Sequence, residues 1–337
     1  MIDYRKPEHR EQYFSALYKM NLEHGVMPGL VYCYFPALSE RFNWNDEQKL
    51  WFATINGCTQ SPVTSLRIFK QSPQIPQSPD EWRDLDTWFN AEWHSLHFDT
   101  DRLKNKRNTI KALYSYAGLV KEAGSQVKLW SGKSYAQCWE TASQIFSFGR
   151  LSTFSYLEYV KLMGFGAECD DLMFQNFDGS RSHRNGALFW QGFDNLVFDK
   201  RANNGFDGKY ENFKSMCLYL WNESDEWLRS FKQNYPHKDA NFFTLESQFC
   251  QFKNGFFRRR FPGCYADMGW DRIEWADDKG QQLFTSHFKE IRAAHLPNWL
   301  RIETEAKPLA RAKRAAMFAD TGIPFRAEYF LLGNNEL

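Results

Sequence analysis

The chain reads as mainly α, one large helical domain. Three observations predict this. Apolar residues recur at three- and four-residue spacing along most of the 337 residues. Runs that alternate with strand period are few. The glycine signatures that open α/β nucleotide or hydrolase sites, GxxxxGK[ST], GxGxxG after a strand and GxSxG, do not occur. Aromatic content is 18%, with 13 Trp and 31 Phe, so most rings must fill a core and some are available as stacking platforms for bases.

Taken in order, Pro7 to Glu23 carries Tyr13, Phe14, Leu17, Tyr18 and Met20 at helical spacing, with Gly25 as a stop. Leu30 to Phe42 continues the pattern. Asn45 caps a helix bearing Leu50, Trp51, Phe52 and Ile55 that ends near Gly57. Pro62 suits the first turn of the next helix, to about Phe69. The stretch from Ser72 through Pro79 holds three prolines and makes a connection, and Ser78-Pro79-Asp80-Glu81 is a helix start: hydroxyl cap, proline at N1, acids in the first turn. His94 and His97 close that helix three residues apart, short of the three or four ligands zinc takes. Five basic residues between Arg102 and Lys111 suit either a solvated helix face or one that tracks phosphates. Ser134 to Phe146, Thr153 to Leu162 and Tyr210 to Phe231 are helical, with Phe148-Gly149-Arg150 as a break. Thr244 is the expected N-cap of a helix that sets Glu246, Cys250 and Lys253 on one face. A basic amphipathic helix from Glu303 to Met317 and a weakly patterned tail close the chain, so residues 1–300 are expected to form the helical catalytic domain and residues 301–337 an appendage.

Charge and cysteines exclude several classes. The formal net charge is +1, so any nucleic-acid surface must be local. The seven cysteines are scattered and form no CxxC, which argues against a zinc ribbon or a disulfide framework and suits a cytosolic compartment. The N-terminus lacks the apolar core of a signal peptide, and no apolar run is long enough to span a bilayer, so no membrane association is expected.

Chemistry concentrates in a few places. Asp178-Gly179-Ser180-Arg181-Ser182-His183-Arg184-Asn185-Gly186 has no apolar side chain and lies between two apolar segments, the pattern of a loop on a rigid scaffold. Its two arginines flank a histidine and repel one another, so an anion is expected among them. A plain solvated turn with a helix cap is the competing reading. Phe256-Phe257-Arg258-Arg259-Arg260-Phe261-Pro262-Gly263 interleaves arginine with rings, as a nucleic-acid backbone contact requires. Asp267 and Asp271 stand at i, i+4 beside Arg272; on a helix they share a face and are candidates for Mg²⁺, or are exposed acids answered by that arginine.

Several segments together resemble one family. They are residues 47–57 (EQKLWFATING), Pro62-Val63-Thr64, Phe148-Gly149-Arg150, residues 154–159 (FSYLEY), residues 179–186 (GSRSHRNG), residues 243–247 (FTLES) and residues 259–268 (RRFPGCYADM) with Asp271-Arg272-Ile273. In this order they resemble the bacteriophage amino-acid:DNA transferases, also described as α-glutamyl/putrescinyl thymine pyrophosphorylases. The resemblance implies a transferase that replaces the pyrophosphate of a pyrophosphorylated 5-hydroxymethyluracil in double-stranded phage DNA with an amine, an amino acid or putrescine. It further implies a separate DNA kinase acting first, the cytoplasm of the infected bacterium as the place of action, and a helical fold distantly related to helix-hairpin-helix DNA glycosylases. A glycosylase-like enzyme or a non-catalytic DNA-binding protein on a similar scaffold is the alternative.

That chemistry assigns roles to the residues. Departing pyrophosphate needs cationic support; Arg181, Arg184, Arg150 and Lys253 are candidates, with Asp267 and Asp271 as metal holders should Mg take part. The attacking amine must be neutral, so a base is needed: His183, or a buried Glu246 or Asp178, beside Asn185. DNA and phosphate contacts are expected from Arg150, Ser180, Ser182, Arg258, Arg259, Arg260, Tyr265 and Arg272.

Overall fold

The computed structural model describes residues 6–99, 103–174, 182–194, 210–257 and 260–301. They are mainly helical, and no strand occurs among them. In chain order the helices are α1 (Pro7–Glu23), α2 (Val31–Arg41), α3 (Asp46–Thr59), α4 (Pro62–Gln71), α5 (Pro79–Ala91), α6 (Thr109–Ala123), α7 (Gln126–Trp130), α8 (Tyr135–Ser143), α9 (Arg150–Leu162), α10 (Ser182–Trp190), α11 (Tyr210–Asn234), α12 (Phe242–Phe256), α13 (Cys264–Asp278) and α14 (Gln282–His295). No described helix is long and apolar enough to cross a membrane. The C-terminal helix expected from Glu303 lies outside the described residues.

The helices fall into two compact units. One is built on α3 and contains α2 to α9, α14 and α13 from Met268 onward. Asn45 caps α3 through a capping box with Gln48, as its sequence predicts. Beyond the first turn α3 is buried all round, with Leu50, Trp51, Phe52, Ala53 and Ile55 at 0% exposure. A helix apolar on every side must be wrapped, and α4, α6, α7 and α9 do so. Its buried polar groups are matched: Thr54 Oγ1 lies 2.9 Å from the Tyr156 hydroxyl, and Ser65 donates to Asn56 at 3.0 Å. Glu47 accepts from the Gln126 and Val127 backbone N–H groups at 3.1 and 3.3 Å, satisfying the start of α7.

The basic run at 102–111 matches neither expectation at Lys106. That ammonium is buried and donates to the Trp93 and Leu96 carbonyls. A cleft of about 1090 Å³ opens in this unit between the Gln74–Pro79 connection, Trp82 and the Tyr114–Lys121 face of α6, and none of the expected site residues lines it.

The second unit contains α1, α10, α11, α12 and the first turn of α13. Phe14 is its centre. Its ring lies 5.2 Å from Trp190, 4.9 Å from Trp227, 5.2 Å from Phe249 and 5.3 Å from Phe252. Burying each such side chain contributes about 1.5–3 kcal/mol as an upper estimate. α11 turns the stripe Phe213, Cys217, Leu220, Ser224 and Leu228 inward, the spacing that made it legible as amphipathic. The interior also holds amides. Asn21 donates to Gln248 at 2.9 Å and to Gln251 at 2.6 Å, and Gln248 donates to the Phe14 carbonyl at 3.1 Å. These bonds set the register of α1 on α12.

Two local expectations are corrected in this unit. The N-cap of α12 is Asn241, which accepts from Phe243 and Thr244 N–H at 2.9 and 3.2 Å. Thr244 sits at N3, closes the capping box and meets the Tyr18 hydroxyl at 2.7 Å. The polar segment expected as a loop is helical from Ser182 onward, and His183, Arg184, Asn185 and Gly186 are buried. Gly186 explains that burial: a Cβ there would stand 2.0 Å from the Phe249 carbonyl oxygen, so α10 lies directly against the α12 backbone.

Candidate active site

The contact at Gly186 puts the first turn of α10 against the middle of α12. On α12, Glu246 and Cys250 are one turn apart, with Cys250 Sγ 3.9 Å from Glu246 Oε1. From α10, His183 Nδ1 lies 3.2 Å from the same Oε1. His183 is 0% exposed and Glu246 7% exposed, so any charge on the pair acts in a medium of low dielectric. The Phe174 ring stacks on the imidazole at 5.5 Å and 16° and fixes its plane. Ser182 hydrogen-bonds Cys250, and burial followed by the Glu246 charge pushes the thiol well above its usual range. A thiol so raised is protonated at neutral pH and is a poor nucleophile.

Cations stand at the edge of this group. Lys253, one turn beyond Cys250 on α12, and Arg260 both act electrostatically on the thiol. Arg260 follows α12, where its N–H bonds the Asn254 carbonyl at 3.2 Å. Its Nη1 donates to the Tyr265 hydroxyl at 2.6 Å, and its guanidinium carbon lies 5.3 Å from that ring's centroid. The interaction with Tyr265 raises the guanidinium further, against the opposing effect of burial. Burial raises the Tyr265 phenol, while Arg260 draws it down. The pair is therefore a cation and a neutral phenol whose own O–H is left to donate. Gly263, at φ +82°, turns the chain between the two residues. Ser182, Cys250, Lys253 and Arg260 are half-buried, whereas His183, Glu246 and Tyr265 are buried.

Arg184, expected at the anion, is 1% exposed; its Nη1 donates to the Phe174 carbonyl, and its guanidinium lies 4.9 Å from the Phe213 centroid. Asn185 is buried on the same helix. Asp178, Ser180, Arg181, Arg258 and Arg259 lie outside the described residues. Arg150 and Arg272 belong to the α3 unit. Arg150 is half-buried in the first turn of α9, and Arg272 pairs with Asp99.

Asp267 is 0% exposed in the first turn of α13, and Asp271 is half-buried one turn later. Among the described residues, the one group of three His, Cys, Asp or Glu donors close enough to share an ion is His183, Glu246 and Cys250, which includes neither aspartate. Its nitrogen, oxygen and sulfur donors do not suit Mg²⁺, which takes oxygen ligands. Phe174 is the participant sequence reasoning missed. A phenylalanine in an apolar stretch carries no signal that it will stack on a histidine.

Comparison with known proteins identifies the family. The family model described as amino acid:DNA transferase matches residues 36–261, which include α10, α12 and Arg260. A protein of Salmonella phage ViI described as a serinyltransferase is 28% identical over an alignment of 349 residues, covering 96% of this chain and 83% of that protein. No solved structure matches. The family match spans well over half of the chain, and with it the resemblance carried by the ordered segments becomes an assignment: the chain belongs to the amino acid:DNA transferase family, enzymes that modify DNA with amino acids.

Proposed function

We propose that this transferase replaces pyrophosphate on a 5-(pyrophosphoryloxymethyl)uracil base in DNA with the amine of an amino acid, at the His183–Glu246 group. The observation that carries the reading is an imidazole 3.2 Å from a buried carboxylate, with Lys253 and Arg260 close by. In the reaction a nitrogen–carbon bond forms at the base's exocyclic methylene and its carbon–oxygen bond to pyrophosphate breaks. The amine's proton must go to a base. His183 supplies it: with its hydrogen on Nδ1, the nitrogen 3.2 Å from Glu246 Oε1, the neutral ring keeps its lone pair on Nε2. A buried carboxylate then stabilises the imidazolium that forms. The amine approaches along the half-exposed Ser182 and Cys250.

Pyrophosphate leaves with negative charge developing on its bridging oxygen. Fixed cations that need not reorganise are the most effective support for such charge. Lys253 and Arg260 fill that role, and Tyr265 both holds the guanidinium and offers its O–H. The same assignment serves direct displacement and elimination followed by addition, since the net bonds formed and broken are the same. Serine is the first amino acid to test, given the name of the phage ViI relative; putrescine is the polyamine control. A separate kinase supplies the pyrophosphorylated base beforehand, in the cytoplasm of the infected host.

The test is incubation of the full chain with DNA carrying the pyrophosphorylated base and a panel of amines. The expected result is one pyrophosphate released per modified nucleoside, only when a competent amine is present. Modified nucleoside without pyrophosphate release, or no product with any amine, contradicts the reading.

A further inference from the structure

We propose that His183, Glu246 and Cys250 form a three-ligand site for one zinc-class divalent ion. The inference goes beyond the transfer reaction and stands on the donor geometry alone. The three ligand atoms lie within 4.8 Å of one another. A tetrahedral ion with bonds of about 2.0–2.3 Å to N, O and S holds its donors about 3.3–3.8 Å apart. His183 Nδ1 and Cys250 Sγ lie 3.2 and 3.9 Å from Glu246 Oε1, so small side-chain movements suffice.

The scaffold is suited to the task. Glu246 and Cys250 occupy i and i+4 of one helix, the spacing that puts two ligands side by side. His183 comes from a helix held against it at Gly186, where neither backbone can shift freely. The ring is clamped by Phe174, and the sulfur is hydrogen-bonded by Ser182, so two of the three ligands have a supporting contact. The donor set selects the metal. Sulfur and imidazole nitrogen favour zinc, or cobalt as its spectroscopic substitute, over magnesium or calcium. On binding, the Cys250 thiol gives its proton to solvent, and thiolate and carboxylate together balance the two charges of the ion. A fourth position is left to solvent or to an anionic oxygen, as in three-ligand zinc sites.

The ion and the base use His183 differently. Metal on Nδ1 requires the tautomer with hydrogen on Nε2, which removes the lone pair that takes the amine's proton. Zinc is therefore expected to inhibit the transfer reversibly.

The test uses the full chain stripped of metal by a chelator and titrated with Co²⁺ without DNA. We expect one cobalt per chain, with a sulfur-to-cobalt charge-transfer band that zinc abolishes by displacement. Cys250→Ser is expected to lose the band and weaken binding by more than about tenfold, with helicity unchanged by circular dichroism. In the wild-type chain, independent of any variant, zinc is expected to slow alkylation of Cys250 more than about tenfold by peptide mass spectrometry. Absence of saturable binding at one per chain, a band that persists in Cys250→Ser, or alkylation equal with and without zinc overturns the site. Pyrophosphate release is measured separately in chelator, so failure of the transfer reaction and failure of the metal site are distinguishable.

Discussion

Two helix contacts, one in each unit, are both made close by a glycine, and the glycines do different work. Gly186 of α10 faces the backbone of α12, where an added Cβ would stand 2.0 Å from the Phe249 carbonyl oxygen and 2.6 Å from its carbonyl carbon. Gly57 of α3 faces side chains, where an added Cβ would meet Tyr156 at 3.1 Å and Phe148 at 3.2 Å. Backbone cannot give way without moving a helix, whereas rings can turn or shift by tenths of an ångström. The first contact aligns the polar residues of the candidate site, and the second completes an apolar core. Where chemistry depends on the contact, the tolerance for added volume is smallest.

That difference is open to a direct break. Gly186→Ala is expected to cost about 3 kcal/mol or more, seen as a large fall in Tm or in soluble yield. If Gly186→Ala melts within a degree or two of wild type, α10 does not lie against α12 as described. Next in size, His183→Asn and Glu246→Gln are each expected to lower amine transfer at least about a hundredfold, with helicity retained by circular dichroism. Arg260→Gln is expected to reduce kcat about ten- to a hundredfold, and Tyr265→Phe by less, because it loosens the guanidinium without removing it. An Arg260→Gln effect confined to DNA affinity would make this residue a backbone contact and not support for the leaving group.

Gly57→Ala supplies the contrast. Alanine gains about 1 kcal/mol of helix propensity over glycine, which offsets much of the crowding against two rings. A net change within about 1 kcal/mol is expected, against the far larger loss at Gly186. A loss at Gly57 as large as at Gly186 would erase the distinction between backbone and side-chain contact.

The smallest expected effect lies at His97 in the α3 unit. Its ring meets Trp275 edge-on at 5.2 Å, and burial, followed by the Arg272 charge, lowers its pKa from 6.5. The folded state thus favours the neutral ring. The contribution is present above pH 6.5 and lost as pH falls toward the lowered folded value. His97→Gln is expected to flatten the acid-side fall in Tm below about pH 6.5; an unchanged slope would assign that fall to other groups.

Most helices were legible because their stripes and caps are local. Pro7–Glu23 has its observed bounds in the spacing of its rings, and Asn45 and Ser78 each cap the helix that follows them. The i, i+4 placement of Glu246 and Cys250 was legible for the same reason. The start of α10 was not. Ser182 to Asn185 carry no apolar stripe, and their burial depends on Phe174, Phe213 and Glu246, which lie elsewhere in the chain. Gly186 was visible as a glycine, but close approach to another helix and a turn look alike in sequence. Asn241 and Thr244 are both good caps; Thr244 lies inside α12, where its hydroxyl meets the Asp239 carbonyl and the Tyr18 hydroxyl from a distant helix.

The central claim is that the His183–Glu246 group takes the proton from an amine that displaces pyrophosphate. Its most direct test measures amine-dependent pyrophosphate release from pyrophosphorylated DNA by wild type, His183→Asn and Glu246→Gln, alongside the affinity of each for that DNA. The expected result is stoichiometric release by wild type and a loss of at least about a hundredfold in both variants, with DNA affinity within about twofold of wild type. Wild-type rates of release in both variants would contradict the account.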